Sequence, residues 1–270
     1  MKLKTSFLSF ACLLLLGSLL SPYSRACTIF SAQGATTHYF ASNEDWTMTD
    51  PAMHVVPSKD GNYGYIVFGW ASLLPRYPQG GVNEHGLCLD WAALSPQSFK
   101  ANPSRKQLNE DIIYKILRTC KNVDEVVRLV EQYNWAQFAE EHLLVADSQG
   151  DSCVIEWSDN NYKFLRKDKP YQVITNFSLA NPKIGWYPCQ RFDTVDGYLK
   201  KAPTPEIGVE TVRDLLNKSH QEGQYPTVYS YIVDQKSLNV FVYYRHDYSK
   251  PFQYNFYEEV KKGEHRIRIY

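Results

Sequence analysis

Neither sign of charge dominates this sequence: 29 Lys and Arg residues face 29 Asp and Glu residues. No basic run interleaves with aromatics, so the chain carries no electrostatic footprint for a nucleic-acid backbone. Cys-x-x-Cys and His-Glu-x-x-His spacings are both missing, which argues against a structural or catalytic zinc site, and neither a metal nor a cofactor is expected. No internal repeat, low-complexity tract or linker divides the chain. The main apolar run, Phe7 to Leu20, is interrupted by Ser9, Gly17 and Ser18 and is shorter than the roughly 20 residues of a membrane-spanning helix.

What is present is a globular composition. With 44% hydrophobic and 14% aromatic residues over 270 positions, the chain can bury a substantial core. The run Phe7–Leu20 follows the basic opening Met1-Lys2-Leu3-Lys4, is broken by Pro22, and ends at Ser24-Arg25-Ala26, with small residues where a leader peptidase reads. That layout predicts a signal peptide over residues 1–26, cleavage after Ala26, and an exported, periplasmic or secreted product of residues 27–270 that makes no stable membrane insertion. Lys2, Lys4 and Arg25 leave with the leader, so the mature chain is near neutral. An apolar or amphipathic small molecule is the expected partner, and a homo-oligomer is compatible with the sequence.

β-branched and aromatic residues between Gly, Asp and Pro punctuation predict strands from Cys27 to Phe40, Met53 to Val56, Tyr63 to Trp70 and Gly86 to Leu94. Leu108, Ile112, Ile113, Ile116 and Leu117 mark one helical face, and Asn122 with Glu125 caps a second helix expected to run through Tyr133. Strands His142–Asp147, Ser152–Trp157, Tyr162–Arg166 and Tyr171–Thr175 read as one antiparallel meander. Helical spacing returns at Phe192–Leu199 and Val209–Leu216, before a final hairpin of Thr227–Asp234 and Asn239–Arg245. Runs of strands separated by paired helices indicate a layered α+β fold with antiparallel sheets.

Cleavage after Ala26 would make Cys27 the first residue. An α-amine titrates at about 7.7–8.0 and a free thiol at about 8.5, so the amine of an N-terminal cysteine can take the proton of its own sulfur and serve as its base. The sequence around it is distinctive: Cys27-Thr28-Ile29-Phe30, a strand pair, and then Asn43-Glu44-Asp45-Trp46. Further along come Asn83-Glu84-His85-Gly86-Leu87, Val173-Ile174-Thr175-Asn176, Cys189-Gln190-Arg191-Phe192, and Thr227-Val228-Tyr229-Ser230 running to Asp234. In content and order these segments resemble the choloylglycine hydrolase and penicillin V acylase family of linear amide C–N hydrolases, and they span nearly all of the mature chain.

The resemblance implies a four-layer αββα sandwich with two antiparallel sheets, and an acyl amide as substrate. It implies that Cys27 attacks the amide carbonyl to form a thioester, and that Asp45 holds and orients the α-ammonium. Asn176 would donate to the oxyanion, and Arg191 would place a permanent positive charge beside the thiol or contact substrate. Ser42 departs from the family pattern, in which an arginine precedes Asn-x-Asp, so one expected cation is missing and bile-acid or penicillin specificity does not carry over. Other readings remain for single residues. Asn176-Phe177-Ser178 is also a glycosylation sequon, Asp45 could be a solvated turn carboxylate, and His220 fits a helix end better than a general base. Cys88, Cys120, Cys153 and Cys189 could be free thiols or form two disulfides. Two further functions compete with amide hydrolysis: a lipidated binding module anchored through Cys27, and a protease with a Cys–His pair. Acyl transfer through the same thioester is a close variant.

Overall fold

The computed structural model describes residues 27–270; the expected leader lies outside the described residues. The elements run β1 (Thr28–Gln33), β2 (His38–Asp45), β3 (Pro51–Val56), β4 (Tyr65–Trp70), β5 (Gly80–Asn83), β6 (Cys88–Ala93), β7 (Lys106–Gln107), α1 (Ile112–Thr119), α2 (Val123–Val130) and β8 (Tyr133–Asn134). They continue with β9 (Glu141–Ala146), β10 (Ser152–Ser158), β11 (Asn161–Arg166), β12 (Tyr171–Ile174), α3 (Gln190–Leu199), α4 (Val209–Lys218), β13 (Thr227–Asp234), β14 (Asn239–Tyr244), β15 (Phe252–Asn255), α5 (Phe256–Lys261) and β16 (His265–Arg268).

A six-stranded sheet has the order β12-β1-β2-β13-β14-β15, and an eight-stranded sheet the order β11-β10-β9-β6-β5-β4-β3-β16. All pairings in both are antiparallel. Successive side chains of a strand point to opposite faces, and here both faces are covered. Ile29 and Phe40 enter a core between the sheets, with Met53, Phe68, Leu144 and Val233, whereas their neighbours Phe30 and Ala41 pack outward on Val195 of α3 and Val212 and Leu215 of α4. In the second sheet, Leu143, Val145 and Leu89 face away from that core onto Ile113, Ile116 and Leu117 of α1 and Val126 of α2. These three cores make the four layers αββα expected from the motifs. A column of rings ties the sheets together: Phe68 stacks on Tyr231 with centroids 3.9 Å apart, and Phe40 lies 6.4 Å from Tyr231. The offset Phe40–Tyr231 contact contributes about 0.5–1.5 kcal/mol beyond area burial.

Three expectations require correction. Helix α2 stops at Val130: Glu131 and Gln132 close it with a tight turn onto Val127 and Leu129, and Tyr133 instead pairs with Lys106. The meander holds for β9, β10 and β11 only. β12 crosses to the other sheet and pairs with β1 in the register Ile29↔Ile174. The hairpin β13–β14 is not final, since β15, α5 and β16 follow and β16 adds to β3. Strands β15 and β16 are mostly exposed or half-buried, so hydrophobic alternation gives no signal for them.

Candidate active site

Antiparallel order decides what meets. In the run β12-β1-β2-β13, the start of β1, the ends of β2 and β12, and the start of β13 share one edge, with Thr28 opposite Asn43 and Thr227 opposite Asp45. Cys27 immediately precedes β1, and Asn176 lies just beyond β12. Helix α3 packs on β12 and contributes Arg191 from its first turn. Residues separated by up to 182 positions therefore converge on direct contacts.

Arg191 is the hub. Its Nη1 donates to the backbone oxygen of Cys27 at 2.7 Å and to Thr28 Oγ1 at 2.8 Å, and lies 3.5 Å from Asp45 Oδ2. Its Nη2 donates to Asn176 Oδ1 at 2.7 Å. Asp45 is buried and also accepts from Thr227 Oγ1 and, at 2.8 Å, from Gln221 Nε2. Burial raises its pKa to about 7 even though Arg191, Thr227 and Gln221 oppose the rise. The solvated-carboxylate reading of Asp45 is thereby excluded. Placing Arg191 beside the sulfur needs adjustment, because its guanidinium binds the carbonyl of Cys27 and the oxygen of Asn176.

The sulfur looks the other way, into the space between the sheets. Cys27 is 2% exposed, and its Sγ lies 3.7 Å from Glu44 Oε2. Glu44 accepts from Ser42 Oγ at 2.6 Å and is hydrogen-bonded to Asp90, which in turn accepts from Tyr231 Oη and, at 2.7 Å, from Trp91 N. Among the described residues, no cation pairs with either carboxyl group. Desolvation raises the pKa of both carboxyl groups, most strongly that of Asp90, so Asp90 keeps the proton and donates it toward Glu44. Burial first, and then the charges of Glu44 and Asp45, raise the Cys27 thiol well above its usual range. Gly80 makes room for the pair, because a Cβ there would stand 2.6 Å from Asp90 Cγ.

Asn176 is 1% exposed, and its Nδ2 donates to the oxygen of Ala93 at 3.0 Å, which leaves no place for a glycan. Its backbone is clamped from both sides. The carbonyl of Thr175 accepts from His142 Nε2 at 2.6 Å, while His142 Nδ1 meets Glu156 Oε1 at 2.9 Å. Glu156 also accepts from Ser178 Oγ and from the amides of Leu179 and Ala180. Burial alone would raise its pKa, but these bonds and the His142 charge hold it below the usual carboxylate value. Beyond the turn, Trp186 N donates to Asn176 O at 2.9 Å, and Gly185, at φ 105°, is obligatory because a Cβ would fall 2.2 Å from that oxygen.

All four residues singled out from sequence, Cys27, Asp45, Asn176 and Arg191, thus lie in one connected cluster. Glu44, Asp90, Thr227, Gln221, His142 and Glu156 were not singled out. Period-two alternation in β2 could have separated Ser42 and Glu44 from Asn43 and Asp45, but nothing local links β2 to Asp90 or to Gln221. Asn83, from the Asn-Glu-x-Gly-Leu segment, is architectural: it holds its own turn through Leu87 N and the end of α1 through the oxygens of Leu117 and Cys120. Cys88, Cys120, Cys153 and Cys189 are free thiols. His220 sits past α4 and bonds to the oxygen of Asn217, as a helix-end histidine does. An open cleft of about 460 Å³ lined by Arg76, Tyr77, Leu108 and Trp135 shares no residue with the cluster.

Residues 32–249 match the family model described as acyl-coenzyme A:6-aminopenicillanic acid acyl-transferase. Among solved structures, penicillin V acylase from Agrobacterium tumefaciens superposes with a TM-score of 0.64 at 19% identity, covering 84% of each chain. A cysteine-to-alanine mutant of conjugated bile acid hydrolase from Clostridium perfringens gives a TM-score of 0.69 at 13% identity, covering 90% of this chain and 96% of that one. An arginine-to-leucine variant of the same hydrolase gives 0.68 at 14% identity with the same coverage. None of the curated proteins compared matches the chain.

Proposed function

Because the chain belongs to the acyl-coenzyme A:6-aminopenicillanic acid acyl-transferase family and has the fold of N-terminal nucleophile amide hydrolases, we propose that it is an exported amidase whose nucleophile is Cys27. The observation that carries this reading is the single guanidinium of Arg191, bonded at once to Cys27, Thr28 and Asn176 and set against Asp45.

In the full-length chain the nitrogen of Cys27 is a peptide amide and cannot act as a base. Cleavage after Ala26 turns it into an amine. The thiol proton passes to that amine, Sγ bonds to the substrate carbonyl carbon, and the resulting oxyanion is met by Asn176 Nδ2. The ammonium returns the proton to the leaving nitrogen as the C–N bond breaks, and water then cleaves the thioester. Asp45, beside the start of β1, orients the ammonium. Arg191 holds the carbonyl of Cys27 and the amide of Asn176, so the two reacting components keep a fixed separation.

Penicillin V and conjugated bile acids, named for the similar structures, define an acyl-amide class rather than a substrate. Ser42 provides no cation for an acidic headgroup and is instead committed to Glu44. Trp186 and Tyr187, 47% and 55% exposed beside the Asn176 turn, provide an apolar surface for the acyl part. The family's description also favours a second outcome, capture of the thioester by an amine. Intact mass should show a chain beginning at Cys27, and that chain should cleave at least one member of a panel of penicillin V, conjugated bile acids and N-acyl amino acids. A chain beginning at Ser24 or earlier, or full activity in Cys27→Ala, would overturn the reading. Adding a competing amine then separates transfer from hydrolysis.

A further inference from the structure

Outside the Cys27 cluster, the described residues hold one group suited to a cation. We propose that His220, Glu222 and His246 form a binding site for a divalent transition metal of the zinc type, placed at the edge of the candidate active site. One ligand atom from each residue lies within 4.8 Å of the others. His220 Nε2 and Glu222 Oε1 are 3.4 Å apart, and ligand atoms about 2.0–2.2 Å from a tetrahedral zinc stand about 3.3–3.6 Å from one another.

Three details point to a ligand rather than to a chance cluster. His220 donates through Nδ1 to the oxygen of Asn217, which turns Nε2 toward the cluster. Orientation of a ligating imidazole by a carbonyl at its other nitrogen is the usual outer-shell arrangement. His246 Nε2 is buried and finds no hydrogen-bond partner among the described residues. The backbone that presents His246 is left-handed at two successive non-glycine positions, Arg245 at φ 44° and His246 at φ 64°. Such a conformation is costly for ordinary residues and persists where surroundings impose it. The two rings lie 4.5 Å apart at 37°.

Two imidazoles and one carboxylate are a borderline donor set that suits zinc and its neighbours and suits magnesium or calcium poorly. Glu222 is exposed and His220 half-buried, so water can complete the coordination. No sequence spacing announces the site, because His246 comes from the turn after β14 and the other two ligands from the segment between α4 and β13. The same segment carries Gln221, whose Nε2 donates to Asp45 Oδ2 and whose backbone nitrogen donates to Thr227 Oγ1, each at 2.8 Å. An ion on His220 and Glu222 therefore pins both sides of Gln221 and keeps two of the Asp45 donors in place.

Calorimetric titration of the chelator-treated protein with zinc chloride tests the site without reference to activity. One equivalent per chain should bind, and saturating zinc should raise Tm. Cys27→Ser should bind as the parent does, because the thiol is no ligand. His220→Ala and His246→Ala should each weaken binding by about 100-fold and abolish the Tm shift, and Glu222→Ala, a change at an exposed side chain that leaves the fold intact, by about 10-fold. Absence of saturable binding below about 0.1 mM zinc, unchanged affinity in Glu222→Ala and either histidine variant, or loss of binding in Cys27→Ser would each overturn the proposal.

Discussion

Glu44 and Asp45 are consecutive residues at the end of one strand, both fully buried and both close to Cys27, yet β2 turns them to opposite faces with opposite consequences. Asp45 faces the helical layer and is supplied with a cation and two neutral donors, Arg191, Thr227 and Gln221. Glu44 faces the other sheet, where it meets a second carboxyl group and, among the described residues, no cation. The outer face can therefore hold a charge that changes during a reaction, whereas the inner face retains a proton to avoid burying two charges. Residue 42 shares a face with Glu44. Its serine hydroxyl donates to that carboxylate, so the position at which the sequence resemblance leads one to expect an arginine brings no positive charge to the inner face.

The comparison predicts that reaction chemistry depends on the Cys27 thiol together with the outer-face groups, and much less on the inner carboxyl pair. Cys27→Ser should lower kcat/KM on whichever acyl amide is accepted by about four orders of magnitude or more, as loss of a nucleophile does elsewhere. Asn176→Ala should lower kcat by about 10²–10³-fold, the loss seen on removing one oxyanion donor, with KM changed much less. Steady-state kinetics on the two mature variants checks both. An Asn176→Ala enzyme that loses only binding would remove Asn176 from the oxyanion.

Asp45 supplies a smaller and pH-dependent effect. In the uncleaved chain its pKa is about 7 against 3.8 for the free side chain, so the folded state holds a proton that the unfolded state has released. Its contribution to stability is fully present below about pH 4 and is lost as pH rises to about 7, with a slope of at most about 1.4 kcal/mol per pH unit. Glu44 and Asp90 act in the same direction. In a Cys27→Ala background, which the reading above renders inactive, Asp45→Asn should flatten the dependence of denaturant-derived stability on pH between 4.5 and 7. An unchanged slope would mean that Arg191 keeps Asp45 ionised throughout.

How much of this could be read from sequence follows from how far each signal reaches. Cys27, Asp45, Asn176 and Arg191 were legible because each sits in a short motif, and the motifs share an order. Core strands such as β9, β10 and β13 were legible because burial on both faces fills them mostly with aliphatic and aromatic residues. The crossing of β12 was not, since the turn at Asp168-Lys169-Pro170 looks the same whether the next strand returns to its own sheet or joins another. Without that crossing Asn176 cannot reach Cys27. The polar partners were hidden for a related reason: Glu44 looks like a motif spacer, Asp90 sits in an apolar strand, and His142 begins another. Only the packing of one sheet on the other shows that Asp90 approaches Glu44, or that His142 spans from Glu156 to Thr175.

The smallest effect discriminates most sharply between the two faces. Glu44→Gln keeps the shape and one acceptor oxygen, turns the other oxygen into a donor, and removes the charge that Glu44 and Asp90 would otherwise place in the core. At acid pH, where the raised pKa values keep the pair protonated, stability should change little. Near pH 8 the variant should equal or exceed the parent in denaturant midpoint, because a neutral amide needs no counter-charge in that environment. Its kcat should fall less than about 10-fold if the α-amine accepts the thiol proton, since Glu44 then only lines the sulfur. A loss approaching that of Cys27→Ser would instead make the carboxylate 3.7 Å from Sγ the base, moving the proton path from the outer face of β2 to the inner one.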